Sequence, residues 1–317
     1  MYTRTAIAVV AAGLVGVGAL LLPAADSRTA GRDTATITAG RTSTATGIRT
    51  VSARAGSAKP VAPLVIAHRG ASAYAPENTL AAVDRADALG IDWVENDVQL
   101  TEDGVLVVMH DTNLKRTTDA EKVFPGRAPW AVKDFTAAEI ARLDAGSWFG
   151  ARFAGTRVPT LAQYLDRIER NHQNLLLEIK SPKIYPGIEK ETLRVLDRKG
   201  WLDRDHVRHR LVIQSFGAGS VRKVHQRRPD VTTGFLGTPA VADLPSYAAF
   251  TDQINPPYRS LSAGYVRAVH ALKGAHGKPL RVNTSTVDRA ATAKKAAALG
   301  VDGIITNAPD VVWRATR

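Results

Sequence analysis

Residues 64–100 read LVIAHRGASAYAPENTLAAVDRADALGIDWVENDVQL, and the fold prediction starts from this segment. It begins with a short apolar run, Leu64–Ala67, continues with a helical pattern over Thr79–Leu89, and ends with a second candidate strand, Trp93–Leu100. Short runs of this kind, separated by a helical pattern, are typical of parallel strands joined by a helix.

The same alternation continues to the end of the chain. Further strands are predicted at Leu175–Ile179, Leu211–Gln214, Thr232–Leu236, Asp252–Asn255, Leu280–Thr284 and Gly303–Thr306. Helical patterns lie between most of them, at Leu161–Arg170, Ile188–Arg198, Gly219–Gln226, Ala263–Leu272 and Arg289–Leu299. Eight strand–helix units in roughly 250 residues have the size and order of a (β/α)8 TIM barrel.

A doubly wound open sheet is the alternative arrangement of the same elements. That fold usually carries a glycine-rich phosphate loop directly after its first strand. Here the first strand continues into Ala67-His68-Arg69-Gly70, which is not such a loop. The barrel is therefore the favoured fold.

Residues 111–159 interrupt the alternation after the second strand unit. Val105–His110 is expected to be an extra strand that pairs with Trp93–Leu100 through a turn at Glu102-Asp103-Gly104. The interruption is too long for an ordinary connection and is rich in aromatic residues. We expect an insertion with its own small core, which is also able to cover part of a substrate pocket.

The first 62 residues differ from the rest of the chain. Arg4 precedes an apolar run, Ala6–Leu22, and small residues follow it, which predicts a secretory signal over residues 1–25. A retained membrane anchor is the alternative. Residues 26–62 are rich in Thr, Ala, Ser and Arg and predict a disordered linker, so the catalytic domain is expected at residues 63–317. The protein is then secreted, with no stable membrane insertion after cleavage of the signal.

Composition narrows the classes of partner. The chain has 317 residues, no cysteine and a formal net charge of +12, which excludes disulfides and thiolate chemistry and suits anionic partners. No basic stretch is interleaved with aromatic residues, so nucleic-acid binding is not expected. A small anionic substrate fits this composition.

Ionisable or polar side chains gather where predicted strands end. Glu95 and Asp97 lie two positions apart and therefore share one face of their strand. The other candidates are His68, Arg69, His110, Glu178, Lys180 and Gln214. The active site of a TIM barrel lies at the carboxyl ends of its strands. Carboxylates facing one space repel each other unless a cation lies between them, and oxygen ligands suit one divalent cation, Ca²⁺ or Mg²⁺.

The motifs resemble those of a known family. His68-Arg69-Gly70, followed after five residues by Pro76-Glu77-Asn78-Thr79, resembles the signature of the glycerophosphodiester phosphodiesterase family. The resemblance extends in order over residues 64–313, through Val94–Thr101, His110-Asp111, Arg116–Thr118, Leu143–Phe149, Val158–Leu161, Leu177–Lys180, Gln214–Phe216 and Gly300–Asn307.

The resemblance implies a barrel hydrolase that cuts glycerophosphodiesters to glycerol 3-phosphate and an alcohol. It implies that His68 and His110 are the general acid and base and that Glu95, Asp97 and Glu178 hold the metal. The residues it places at the phosphate or substrate are Arg69, Lys180, Glu77, Gln214 and Ser285.

The sequence departs from the family near its end. Where the family often has Trp-Thr-Val-Asn, this chain has Ser285-Thr286-Val287-Asp288, and Asn307 replaces a frequent Asp. We expect Ser285 to leave the leaving-alcohol side of the pocket wider and more polar. The catalytic residues themselves are present.

Three questions stay open from the sequence. The attacking group is either water or the glycerol 2-hydroxyl, which would give a cyclic phosphate intermediate, and either histidine could act first. An alternative function is lysophospholipase D or sphingomyelinase D-like action on lipids at a membrane surface. A binding protein without activity is a further alternative, but it predicts a missing histidine or carboxylate, and none is missing.

Overall fold

A computed structural model describes residues 62–317. The predicted signal over residues 1–25 and the predicted linker, apart from its last residue, lie outside the described part of the chain. Within it, nine strands form one sheet: β1 Leu64–Ala67, β2 Trp93–Leu100, β3 Leu106–Val108, β4 Asn174–Ile179, β5 Leu211–Ser215, β6 Thr232–Leu236, β7 Gln253–Asn255, β8 Arg281–Thr284 and β9 Gly303–Thr306.

Eight of these strands close into a parallel barrel. The order is β1-β9-β8-β7-β6-β5-β4-β2, and β1 also pairs with β2, which closes the ring. Ile66 lies beside Ile305 of β9 on one side and beside Trp93 of β2 on the other. The predicted TIM barrel is confirmed. β3 stands outside the ring and pairs antiparallel with β2, as predicted.

Helices cover the outside of the barrel and connect its strands. They are α1 Leu80–Asp87, α2 Ala120–Val123, α3 Ala137–Ile140, α4 Leu161–Arg170, α5 Ile188–Arg198, α6 Ala218–Arg227, α7 Leu244–Ala248, α8 Ala263–His270, α9 Ala290–Ala298 and α10 Pro309–Thr316. Helix α4 begins where Thr160 accepts a hydrogen bond from the backbone of Gln163, while the Gln163 side chain reaches back to Thr160. No helix within residues 62–317 is both long enough and apolar enough to cross a membrane.

The main core lies between the barrel and the surrounding helices. Inward-facing side chains form a separate cluster inside the barrel, made of Ile66, Leu176, Val212 and Ile305, with Trp93 packed against it. This apolar layer fills the lower part of the barrel. Polar side chains two positions further along the strands therefore face the space above it, at the carboxyl ends.

The insertion between β3 and α4 contains α2 and α3 and packs around its own hydrophobic cluster. Phe135, Leu143 and Val132 are fully buried there, and Phe124 packs against Phe135 with ring centroids 5.2 Å apart. Because β3 contributes Val107 to the same cluster, the insertion is anchored beside β2. Its first residues, directly after His110, consequently reach the carboxyl end of the barrel.

Candidate active site

A cluster of three buried carboxylates lies inside the barrel near the carboxyl ends of β2 and β4. Glu95, Asp97 and Glu178 are 1%, 0% and 6% exposed, and they offer oxygen atoms that all lie within 4.8 Å of one another. The β2–β4 register places Asp97 directly beside Glu178. Alternation along β2 puts Glu95 on the same inward face, as the spacing predicted.

The carboxylates perturb one another strongly. Burial and the charges of Asp97 and Glu178 raise the pKa of Glu95 well above its usual value. Burial and Asp97 raise the pKa of Glu178 to about 8. Burial alone would also raise the pKa of Asp97, but Lys180 and Arg69 outweigh it and hold that pKa below its usual value. Three ionised carboxylates buried this close together therefore destabilise the fold unless positive charge is added.

The cluster has the donor set of a hard divalent cation. Asp97 Oδ1 is buried and accepts no hydrogen bond, and Lys180 Nζ lies 3.6 Å from it. Its other oxygen, Oδ2, accepts a hydrogen bond from Asn78 Nδ2 at 2.8 Å, which fixes the carboxylate's orientation. An oriented set of three carboxylates with an unsatisfied oxygen fits Ca²⁺ or Mg²⁺.

Two cations border the carboxylates. Lys180 Nζ lies 2.7 Å from Glu178 Oε1 and 5.4 Å from the ring centroid of Phe216. The backbone N–H of Arg69 donates to Glu95 Oε2 at 2.9 Å, and its guanidinium donates to Glu77 Oε1 at 2.7 Å. Both cations are largely buried, so each presents charge in a site where water screens it poorly.

The chain reaches this geometry through a tight turn after β1. Arg69 and Gly70 have φ angles of 57° and 78°, in the left-handed region. A Cβ on Gly70 would lie 2.6 Å from the Cβ of Ala82 in α1, so only glycine fits there. In the His68-Arg69-Gly70 motif, the glycine is therefore required by the backbone of the turn, while His68 and Arg69 supply the chemical groups.

His68, directly after β1, is held by an amide. Its Nδ1 lies 2.7 Å from Oδ1 of Asn307, and Ser72 Oγ donates to the same oxygen at 2.8 Å. Asn307 Nδ2 in turn donates to Asp288 Oδ2 at 2.8 Å. Because the Asp288 carboxylate only accepts hydrogen bonds, the Asn307 amide turns its NH₂ group towards Asp288 and its oxygen towards His68. His68 must then carry its proton on Nδ1 in order to donate to that oxygen. Burial and neighbouring Arg69 lower the pKa of His68 to about 4.

His110, after β3, is held by a carboxylate instead. Its Nδ1 lies 2.7 Å from Asp111 Oδ1. Arg116 donates to Asp111 Oδ2 through Nε at 2.6 Å and to Glu77 Oε2 through Nη1 at 2.7 Å. The hydrogen bond from Arg116 is the main reason that the pKa of Asp111 falls to about 2.

Glu77 connects the two halves of the site. Burial would raise its pKa, but hydrogen bonds and charge from Arg116 and Arg69 outweigh it, so the pKa lies below its usual value. The ionised Glu77 therefore bridges Arg69, beside the carboxylates, and Arg116, which orients Asp111. The motif predicted Glu77 near this centre, and the structure places it there.

The remaining predicted residues lie further around the barrel. Gln214 neighbours Glu178 in the β4–β5 register, and its Oε1 accepts a hydrogen bond from Asn255 Nδ2 at 2.9 Å. Ser285 follows β8 on the same face as Asn283 and is half-buried, and its backbone oxygen accepts from Tyr258 N at 2.9 Å. A role for the Ser285 side chain stays a prediction.

Four polar residues of the site had no role assigned from the sequence. In the sequence, Asp111 and Arg116 stood out only as parts of motifs, and Asp288 and Asn307 only as departures from the family pattern. In the structure, all four orient a histidine, either directly or through another residue. Asp111 was detectable, because an acidic residue next to a candidate histidine is a common orienting partner. The Asp288–Asn307–His68 chain joins residues 239 positions apart, and no local pattern predicts it.

The chain is similar to known proteins over most of the described residues. A sequence profile described as "Glycerophosphoryl diester phosphodiesterase family" matches residues 68–311. A glycerophosphodiester phosphodiesterase of Bacillus subtilis (strain 168) is 36% identical over 265 residues, which cover 78% of this chain and 84% of that protein. One from Caldanaerobacter subterraneus subsp. tengcongensis is 38% identical over 256 residues, covering 80% and 98%.

A solved structure is also similar in fold. It is that of a phosphodiesterase from Oleispira antarctica in complex with the product sn-glycerol-3-phosphate. Its TM-score is 0.68 at 29% sequence identity, and the alignment covers 80% of this chain and 96% of that one.

Proposed function

The chain belongs to the glycerophosphoryl diester phosphodiesterase family and is a phosphodiesterase; we propose that it cuts glycerophosphodiesters into glycerol 3-phosphate and an alcohol. The observation that carries this proposal is the buried Glu95–Asp97–Glu178 cluster with two oriented histidines near Asp97. The solved relative with glycerol 3-phosphate bound supports the same product here.

We propose that the three carboxylates hold one divalent cation. Their burial, the raised pKa values of Glu95 and Glu178, and the unsatisfied Asp97 Oδ1 all support this. When bound, such a cation offsets the charge of the phosphodiester and stabilises the charge that develops on its oxygens. The carboxylates are then all ionised, in contrast to their state without a cation.

Arg69 and Lys180 are the proposed phosphate-binding residues. Each is largely buried, and each lies beside the carboxylate cluster rather than on the open surface. Glu77 holds the Arg69 guanidinium through a hydrogen bond, which restricts its rotamers before substrate arrives. Cations fixed in this way contribute more to the transition state than mobile ones, because they need no reorganisation.

The partners of the two histidines support different roles for them. His68 carries its proton on Nδ1, and burial keeps the ring neutral near pH 7, so Nε2 is free to accept a proton from the attacking hydroxyl. The Asp111 carboxylate accepts a hydrogen bond from His110 Nδ1 and orients the ring, which leaves Nε2 to donate a proton to the leaving alcohol. We therefore propose that His68 is the base and His110 the acid in the first step.

Both attacking groups are compatible with these roles. His68 could activate either water or the 2-hydroxyl of the glycerol moiety. A substrate with a methoxy group in place of that hydroxyl separates the routes. Turnover of this substrate would show that water attacks, whereas binding without cleavage would show that the 2-hydroxyl attacks in the natural substrate.

Exposed apolar side chains near the site favour a second candidate, action on lysolipids. Phe216 is 62% exposed and follows β5, and Ile184 is exposed after β4. Because Phe216 lies beside Lys180, an apolar portion of a substrate could contact it while the phosphate is bound. These side chains would suit a substrate presented at a lipid surface.

A substrate panel with product identification tests the function. The panel contains glycerophosphocholine, glycerophosphoethanolamine, lysophosphatidylcholine and sphingomyelin. Glycerol 3-phosphate from the first two, with much slower turnover of the lipids, is the expected result. Faster release of choline from lysophosphatidylcholine would instead favour the lysolipid function.

A further inference from the structure

A second cavity opens at the other end of the barrel. Its volume is about 840 Å³, and its lining includes the first residues of six strands: Leu64, Trp93, Leu211, Thr232, Gln253 and Arg281. The candidate active site lies at the carboxyl ends of the strands, so this basal cavity is a separate space. Its size is that of small-molecule sites.

One part of the cavity wall is apolar. Ile66, Leu176 and Val212, which belong to the cluster inside the barrel, line it together with Trp93 and the exposed Leu64. This wall offers a surface for an apolar group of a ligand, because covering it removes apolar area from water.

Four cations line the cavity without partners of their own. They are Arg204 and Arg208 between α5 and β5, and Lys278 and Arg281 at the start of β8. Among the described residues, none of their side chains forms an ion pair or donates a hydrogen bond. Arg281 lies two positions before Asn283, whose side chain bonds Gln253 inside the barrel, so Arg281 shares the inward face of β8.

The acidic residues of the cavity already have partners. Asp252 accepts hydrogen bonds from the backbone N–H groups of Thr233 and His276. Asp302 accepts from the backbone of Val282 and pairs with His270.

Asp230, the third acidic residue of the lining, forms a two-bond pair with Arg228. The three acidic side chains are thus engaged by backbone N–H groups, histidines or Arg228, while the four cations have no partner among the described residues. The charge that the cavity offers is positive.

We propose that the basal cavity binds an organic anion with a short apolar chain, its phosphate or carboxylate head at Lys278 and Arg281 and its chain against the apolar wall. Positive charge and apolar surface in one cavity complement an amphipathic anion better than an inorganic one. The proposal is independent of the proposed function.

Calorimetric titration of the full chain with octyl phosphate, below its micelle concentration, tests the proposal. Octanoate, inorganic phosphate and 1-octanol are titrated in parallel, which separates the two head groups from the apolar contribution. We expect saturable binding of octyl phosphate or octanoate that weakens with added salt, and markedly weaker binding of inorganic phosphate and octanol.

Three variants locate the binding. Lys278→Gln with Arg281→Gln should weaken it about tenfold or more, the effect of losing a hydrogen bond to a charged group. Lys294→Gln with Lys295→Gln removes the same charge from exposed α9 and should leave it unchanged. Lys180→Gln, in the active site, should also leave it unchanged.

Each opposite result would overturn the proposal. Absence of binding, or binding that persists in the Lys278/Arg281 variant, removes the basal site. Loss of binding in Lys180→Gln alone assigns the anion to the active site. Equal affinity for inorganic phosphate means an adventitious ion only.

Discussion

The side-chain oxygen of Asn307 lies 2.7 Å from Nδ1 of His68, and this contact sets the proton position on the histidine. An amide oxygen accepts a hydrogen bond but carries no full charge, so it orients the ring without stabilising the imidazolium form as a carboxylate would. His110, with Asp111 beside it, has the other kind of partner. The two histidines therefore differ in environment, although both follow strands of the same sheet.

Asn307→Asp should shift the pH dependence of catalysis. Burial lowers the pKa of His68 to about 4, so its neutral form, the proposed base, persists until the pH falls towards that value. A carboxylate at position 307 stabilises the protonated ring and raises its pKa by about one unit or more. The acidic limb of the kcat/KM profile should move to higher pH by the same amount, and an unmoved limb would remove His68 as the base.

His68→Ala and His110→Ala should each lower kcat by about a hundredfold to ten-thousandfold, the usual size of a general acid–base contribution. Unchanged melting temperatures would show that the fold survives. His209→Ala, at an exposed histidine away from the site, is the matched control and should keep normal turnover. Near-normal activity in either site variant would exclude that histidine from the mechanism.

Asp111→Asn should lower kcat about a hundredfold or more with a small change in KM, because His110 loses the carboxylate that orients its ring. Asp87→Asn, an exposed acid in α1, is the matched control. Since Asp111 acts through His110, its loss should cost little in a variant that already lacks the histidine. Additive losses in the double variant would contradict this orienting role.

The sequence alone predicted most of the barrel. Trp93–Leu100 and Gly303–Thr306 have the predicted bounds. Helices α7 and α10, of 5 and 8 residues, were not predicted. Such short helices depend on tertiary packing, as α10 does against β1 and α9.

The candidate site was predictable in its parts but not in its connections. The positions of Glu95, Asp97 and Glu178 follow from strand alternation and barrel topology. The bonds from Arg116 to both Asp111 and Glu77 depend on side-chain rotamers across an insertion whose path the sequence does not reveal. The proposed role of His68 as the base depends on which way the Asn307 amide faces.

Ser285→Trp should lower KM for glycerophosphocholine, with less effect on bulkier substrates. The position follows β8 at the carboxyl end of the barrel and is half-buried. A tryptophan ring buries about 200 Å² of apolar surface and would narrow the pocket if it lies there. Steady-state kinetics with several head groups measures this. An unchanged profile across all of them would place residue 285 outside the pocket.

The central claim is that Glu95, Asp97 and Glu178 hold a divalent cation on which turnover depends. The most direct measurement is release of glycerol 3-phosphate from glycerophosphocholine after exhaustive chelation, followed by titration with Ca²⁺ or Mg²⁺. We predict that chelation abolishes turnover, that one of the two ions restores it, and that Glu178→Gln requires a higher ion concentration. Full turnover by the chelated enzyme, with no bound metal detectable, would contradict the account.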